Sequence, residues 1–167
     1  MRRDTMGIIL TSNDRIPPIT DIRANSALPI AGRYRIIDFV LSCMANSGIT
    51  NIGVATEANY SSLMDHIKSG KPWDLDRTSG GVHILPPYQG QQGGNWYKGT
   101  ANAIYQNIEF IERYNPEYVL VLSGDHIYKM DYSKMIKAHE EAKAACTIAV
   151  LEVTMEEASR FGIMNTK

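Results

Sequence analysis

Two cysteines in 167 residues, Cys43 and Cys146, stand far apart without C-x-x-C spacing, which leaves no zinc knuckle and no redox dithiol. Both lie among apolar neighbours, where free cysteine is expected as a buried, reduced thiol. No stretch approaches the roughly 18 consecutive apolar residues of a membrane-spanning helix. Met1-Arg2-Arg3-Asp4 leads into a short strand-like run rather than a signal-peptide core, so a cytoplasmic location is the expectation. An excess of one charge is also lacking: 17 Lys and Arg against 18 Asp and Glu give a net charge of −1. That balance offers no electrostatic footprint for nucleic acid, and neither nucleic acid nor membrane is expected as a partner. There is no Walker loop, and Ser123-Gly124 has neither a G-x-S-x-G context nor a base partner, which sets aside serine-hydrolase chemistry. The histidines lack metal-ligand spacing, and His126 reads as structural.

What is present suits one globular domain, with 44% apolar and 21% charged residues. Gly7 to Thr11 reads as a short strand that Pro17-Pro18 cannot continue. Arg35 to Ser47 carries apolar residues at helical spacing and is closed by Gly48. Ile52 to Ala55 reads as a strand and Ser61 to Lys68 as a helix. Thr100 to Tyr114 reads as one helix burying a stripe of Ala101, Ile104, Tyr105, Ile108 and Ile111. Tyr118 to Leu122, unbroken in its apolar character, predicts a central strand. Tyr132 to Ala142 predicts a helix, and Cys146 to Val153 a further strand. Alternating strands and helices imply an α/β fold, a mostly parallel Rossmann-like sheet with helices on both faces. Between Ser69 and Lys98 glycines and prolines break every pattern, and Val82 to Leu85 is the only strand-like piece. An interval of that length reads as a lid or effector loop anchored by Trp73, Trp96 and Tyr97, or as a loop those rings simply pack down.

Two motifs carry chemistry. Tyr97-Lys98-Gly99-Thr100-Ala101-Asn102-Ala103 reads as a loop entering a helix, with Thr100 as its N-cap and Gly99 allowing close backbone approach to a ligand. Leu122-Ser123-Gly124-Asp125-His126 places the Asp125 carboxylate at the carboxyl end of a strand, where open α/β sheets bind ligands. A metal ligand and a simple turn cap are both open to Asp125 there. Arg33 and Arg35 could meet phosphate, and Arg35 could equally pair with Asp38.

The stretch Gly94 to Asn107, Leu122 to Tyr132, Gly32-Arg33-Tyr34-Arg35-Ile36-Ile37-Asp38-Phe39, Pro72-Trp73-Asp74-Leu75-Asp76-Arg77 and Glu157 to Met164 together resemble bacterial glucose-1-phosphate adenylyltransferase, also called ADP-glucose pyrophosphorylase. The resemblance covers nearly the whole chain and implies the amino-terminal part of a nucleotidyltransferase domain. It implies that ATP and glucose 1-phosphate give ADP-glucose and pyrophosphate, with Mg²⁺ held by Asp125. Tyr97, Gly99, Thr100, Ser123 and Gly124 would lie along the nucleotide, and Arg15 would be the catalytic arginine reaching the triphosphate. In the family the sugar-phosphate residues, a second metal carboxylate and a β-helix domain follow later in the chain. Their absence here is expected to leave an open sheet edge and to favour a homo- or hetero-oligomer.

The chain departs from the family at the phosphate loop. Where active members have G-G-x-G-x-R-L and then Lys-Pro, it has Leu10-Thr11-Ser12-Asn13-Asp14-Arg15-Ile16 and Asn25-Ser26. Side chains in place of glycines hinder close approach to phosphate, and Asp14 repels it. The amino-terminal third resembles the family's non-catalytic regulatory partner subunit, so the chain alone is expected to be inactive and to work with a catalytic subunit.

Overall fold

Thr5–Leu10, apolar but for its first residue, forms strand β1 and is buried except at its last position. The computed structural model describes residues 5–11, 16–56, 59–87, 89–90, 93–94, 97–159 and 162–164. After β1 come the short strands β2 (Pro29–Ile30) and β3 (Tyr34–Arg35), paired antiparallel, then helix α1 (Ile37–Asn46), strand β4 (Asn51–Ala55) and helix α2 (Ser61–Ile67). Strand β5 (Gly81–Leu85) is followed by the two-residue strands β6 (Gln89–Gly90) and β7 (Gly93–Gly94), again antiparallel. Helices α3 (Thr100–Gln106) and α4 (Ile108–Tyr114) lead to strand β8 (Tyr118–Ser123), helix α5 (Tyr132–Ala142) and the single turn α6 (Met155–Ala158).

The main sheet has the order β5-β4-β1-β8, every pair parallel. This is the α/β class the sequence pattern implies, because parallel neighbours require helical crossovers. Side-chain alternation along β1 sends Met6 and Ile8 to one face, where Leu85, Ile104, Phe110 and Ile111 cover them. On the other face the missing side chain of Gly7 admits Met44 of α1; a Cβ there would lie 2.7 Å from the Met44 sulfur. Helices therefore cover both faces. Two units divide the chain, Met1–Ser133 and Lys134–Lys167. In the second, the His139 ring and the Thr147 hydroxyl meet at 2.8 Å, and Thr154 with Glu157 forms a capping box on α6.

Several elements differ from their sequence-based expectation. Helix α1 starts two residues late because the backbone of Arg35 pairs with Pro29. Gly48, at φ +79°, does follow the helix as its left-handed stop. The helix expected over Thr100 to Tyr114 is two helices broken at Asn107. The Asn107 amide donates to the Ala103 carbonyl (2.8 Å) and to the Tyr97 hydroxyl (2.8 Å), a side-chain bond that competes with the helical ladder. Ala103 and Ile111 are buried, while Ala101, Tyr105 and Ile108 of the expected stripe are exposed. Strand β8, expected to be central, pairs only with β1 among the described residues, and Val119 and Val121 are exposed. Cys146 to Val153 is not a strand: no partner strand meets it among the described residues, and an apolar run becomes a strand only where a neighbour supplies hydrogen bonds. Cys146, in that segment, is exposed rather than buried; Cys43 is buried as expected. The Ser69 to Lys98 interval holds the β6–β7 pair in addition to β5.

Candidate functional site

The chain runs from β1 to β4 and β5 on one side, then returns to place β8 on the other side of β1. The strand order reverses between β1 and β8, and a crevice outside the carboxyl ends of such strands is where open α/β sheets take their ligands. The ends are tied together there. The Gly124 N–H donates to the Leu10 carbonyl at 2.8 Å, and the Thr11 N–H and hydroxyl both donate to the Ala55 carbonyl, at 3.1 and 3.0 Å. Gly124 is buried, and a Cβ on it would lie 3.1 Å from Ile9 Cγ2 and 3.4 Å from both the Leu10 oxygen and Ser26 Cβ. Ser26, in a 3-10 turn at Asn25–Ala27 and fully buried, thus packs behind Gly124.

Asp125 stands at the mouth, half-buried, and its Oδ1 accepts the Ser123 hydroxyl. Among the described residues no three His, Cys, Asp or Glu side chains gather to hold a metal by themselves. The donor chemistry still fits Mg²⁺, which is held by one or two carboxylates while waters and phosphate oxygens supply the remaining positions. The second motif closes the crevice from the β4 side. Tyr97 is buried against Ala55, Ala103 and Leu10, and its hydroxyl donates to the Leu85 carbonyl at 3.1 Å. Its ring is therefore wall, pinned to the ends of β1, β4 and β5. Gly99, not Thr100, is the N-cap of α3: with φ +125° it makes the turn, and no side-chain bond caps the helix. Thr100 is the first helical residue, and both lie exposed. Asn102 accepts the Lys98 N–H at 2.9 Å, steadying the turn from inside the helix.

Beneath the crevice a polar network joins the 3-10 turn to α1 and α2. The Arg35 guanidinium donates to the Ala27 carbonyl (3.1 Å), the Ser62 carbonyl (2.9 Å) and the Ser62 hydroxyl (2.6 Å). Asp38 accepts the Arg35 backbone N–H at 3.1 Å and meets His66 Nε2 at 2.6 Å. Burial, reinforced by Arg23, lowers the Arg35 pKa from its ordinary value. Trp73 donates from Nε1 to the Ser42 hydroxyl at 3.1 Å and stands edge-on to His66, so it does anchor its turn. Arg15 and Trp96, both singled out in the sequence, lie outside the described residues. Sequence reading placed Asn25-Ser26 in this region but missed the parts that Cys43, Ser47 and Asn107 play in it. The available signal was the pair Cys43 and Ser47, spaced one helical turn apart at the end of α1.

A family model described as nucleotidyl transferase matches residues 6–167. Glucose-1-phosphate adenylyltransferase of Clostridium beijerinckii is 62% identical over 153 residues, which are 92% of this chain and 40% of that protein. The enzyme so named in Clostridium perfringens is 59% identical over 167 residues, 99% of this chain and 43% of the relative. That of Clostridium kluyveri is 57% identical over 168 residues, 99% and 44%. The chain spans about two fifths of the length of these curated relatives. No helix among the described residues is long and apolar enough to cross a membrane. The parallel sheet, its reversal point between β1 and β8 and a match across nearly the whole sequence lead to one conclusion: this chain belongs to the nucleotidyl transferase family.

Proposed function

We propose that the chain is the nucleotide-binding part of a glucose-1-phosphate adenylyltransferase subunit, and that by itself it is non-catalytic. The observation that carries the first half is Asp125 at the reversal point of the sheet, in a chain 62% identical to an enzyme of that name. Gly99, Thr100, Ser123 and Gly124 line the crevice for a nucleotide, with Tyr97 as the wall behind them. Asp125 holds Mg²⁺, which when bound neutralises triphosphate charge. Arg15 is the residue proposed to reach the triphosphate. In the reaction, the phosphate of glucose 1-phosphate displaces pyrophosphate from the α-phosphorus of ATP. The chain's own task there is to orient the nucleotide and keep its charge compensated, since such transfers depend on positioning and electrostatics.

The non-catalytic half rests on the β1 end and the 3-10 turn. Leu10 stands where the family's glycine-rich loop begins, and its side chain packs into the core beside Tyr97 and Ala103. Asn25, where the family has lysine, is buried in the turn and carries no charge for phosphate. The subunit accordingly serves a regulatory or scaffold role in a homo- or hetero-oligomer with a catalytic subunit. Calorimetry with ATP, AMP and Mg²⁺ tests this: ATP should bind weakly and gain little over AMP, and the chain alone should make no ADP-glucose. Tight ATP binding with a large triphosphate contribution, or product from the purified chain, refutes it. The identity to Clostridium beijerinckii glucose-1-phosphate adenylyltransferase favours a second reading, the nucleotide half of an active enzyme, which measurable product would select.

A further inference from the structure

Asp125 is followed by six residues, His126 to Asp131, with no regular structure before α5 begins. A carboxylate at the root of such a segment keeps its place only if the segment is held. One face of α1 holds it. The Cys43 thiol donates to the Tyr128 carbonyl at 3.6 Å, and Cys43 Sγ accepts the Met130 N–H at 3.5 Å. Ser47, one helical turn on, accepts the Tyr132 N–H at 2.9 Å while its own hydroxyl donates to the Cys43 carbonyl at 2.7 Å. The Tyr132 hydroxyl then donates back to Tyr128 at 3.0 Å. On the other side of Asp125, the Gly124 N–H is fastened to Leu10.

We propose that Cys43 and Ser47 are positioning residues for the Asp125 carboxylate, acting by clamping the backbone of residues 128–132 along α1; this rests on the reading of Asp125 as the metal ligand. Sulfur suits position 43 because its long bonds and large radius bridge a gap of 3.5 Å. A serine oxygen, on a shorter bond to Cβ, reaches neither backbone group. Cys43 and Ser47 are both buried; the two Ser47 bonds are buried with them, while those of Cys43 to the backbone are part-buried. A group behind a metal ligand is worth about 10–100-fold in metal affinity, and these bonds act at one further remove.

The test uses the full chain with Cys43→Ser, Ser47→Ala and, as reference, Asp125→Asn. Electron paramagnetic resonance of Mn²⁺ titrated into the nucleotide-free chain separates free from protein-bound ion, and hydrogen exchange follows the Met130 and Tyr132 amides. Ser47→Ala should speed exchange at Tyr132 and Cys43→Ser at Met130, with β1 and β8 amides still protected. Mn²⁺ affinity should fall about tenfold in each, the low end for a supporting group, and further in Asp125→Asn. Ser47→Thr, which keeps the hydroxyl, should restore it. Faster exchange with unchanged Mn²⁺ affinity, while Asp125→Asn loses its Mn²⁺, overturns the positioning role and leaves the reading of Asp125 standing. Mn²⁺ binding that is absent, or indifferent to Asp125→Asn, overturns both. Should either variant lose protection in β1, the other, anchored at a different backbone point, decides.

Discussion

Replacing Gly81 with alanine should destabilise the chain by about 2–5 kcal/mol, a sum of two separable parts. Gly81 opens β5 with φ +99°, where an L side chain crowds its own backbone at a cost of about 1–2 kcal/mol. A Cβ there would also lie 2.8 Å from the Leu75 carbonyl oxygen. Leu75 is buried, and a main-chain oxygen cannot swing aside as a side-chain end does; forced contacts of this kind cost about 1–3 kcal/mol. Gly32, in the turn between β2 and β3, has φ +88° and nothing within 4 Å of the same Cβ. Gly32→Ala therefore keeps the first part and lacks the second. Both substitutions restrict the unfolded chain alike, so that contribution cancels in the difference. Urea unfolding followed by circular dichroism yields both values from midpoints at a common slope. Gly81→Ala should exceed Gly32→Ala by about 1–3 kcal/mol. Losses equal to within about 0.5 kcal/mol, the usual tolerance for additive effects, would refute the steric argument.

Tyr132, fully buried, has its pKa raised above the ordinary value of 10.0, first by burial and then by its hydrogen bond with Tyr128. A folded pKa above the unfolded one gives stability that is whole below about pH 10 and is lost as pH rises above it. Tyr132→Phe should thus flatten the alkaline arm of the stability profile, seen in melting temperatures from pH 8 to 11, while losing about 0.5–1.5 kcal/mol at pH 7. Arg35→Lys should cost about 1–3 kcal/mol by calorimetric melting, because lysine's nitrogen ends one bond short of Nη1, the single nitrogen from which Arg35 makes its bonds to Ala27 and Ser62. Asn107→Ala should merge α3 and α4 yet leave the Tyr97 hydroxyl short of its 2.8 Å donor; the check is a rise in far-ultraviolet helix signal together with faster exchange at Tyr97.

Periodicity alone located Tyr132–Ala142 to the residue and β4 to within one, because helix and strand repeats are local properties of the chain. Alternation of the two also determined the parallel sheet, and the motif at Leu122 to His126 determined that Asp125 would stand at a strand's carboxyl end. Local pattern could not locate the break at Asn107, which depends on a hydroxyl ten residues earlier being brought alongside by packing. Nor could it show that Gly99 rather than Thr100 makes the turn into α3, since Tyr97 must first be pinned to the ends of three strands. The apolar runs at Tyr118 and Cys146 look alike in sequence, yet only the first found a partner backbone among the described residues. The crevice itself is a product of tertiary structure. Leu10, Ser26, Gly124 and Asp125 are scattered over more than a hundred residues, and they meet because the chain places β8 against the free side of β1. The clamp from Cys43 and Ser47 has the same origin: burial on α1 is written in the sequence, but the backbone that fills their hydrogen bonds arrives some 85 residues later.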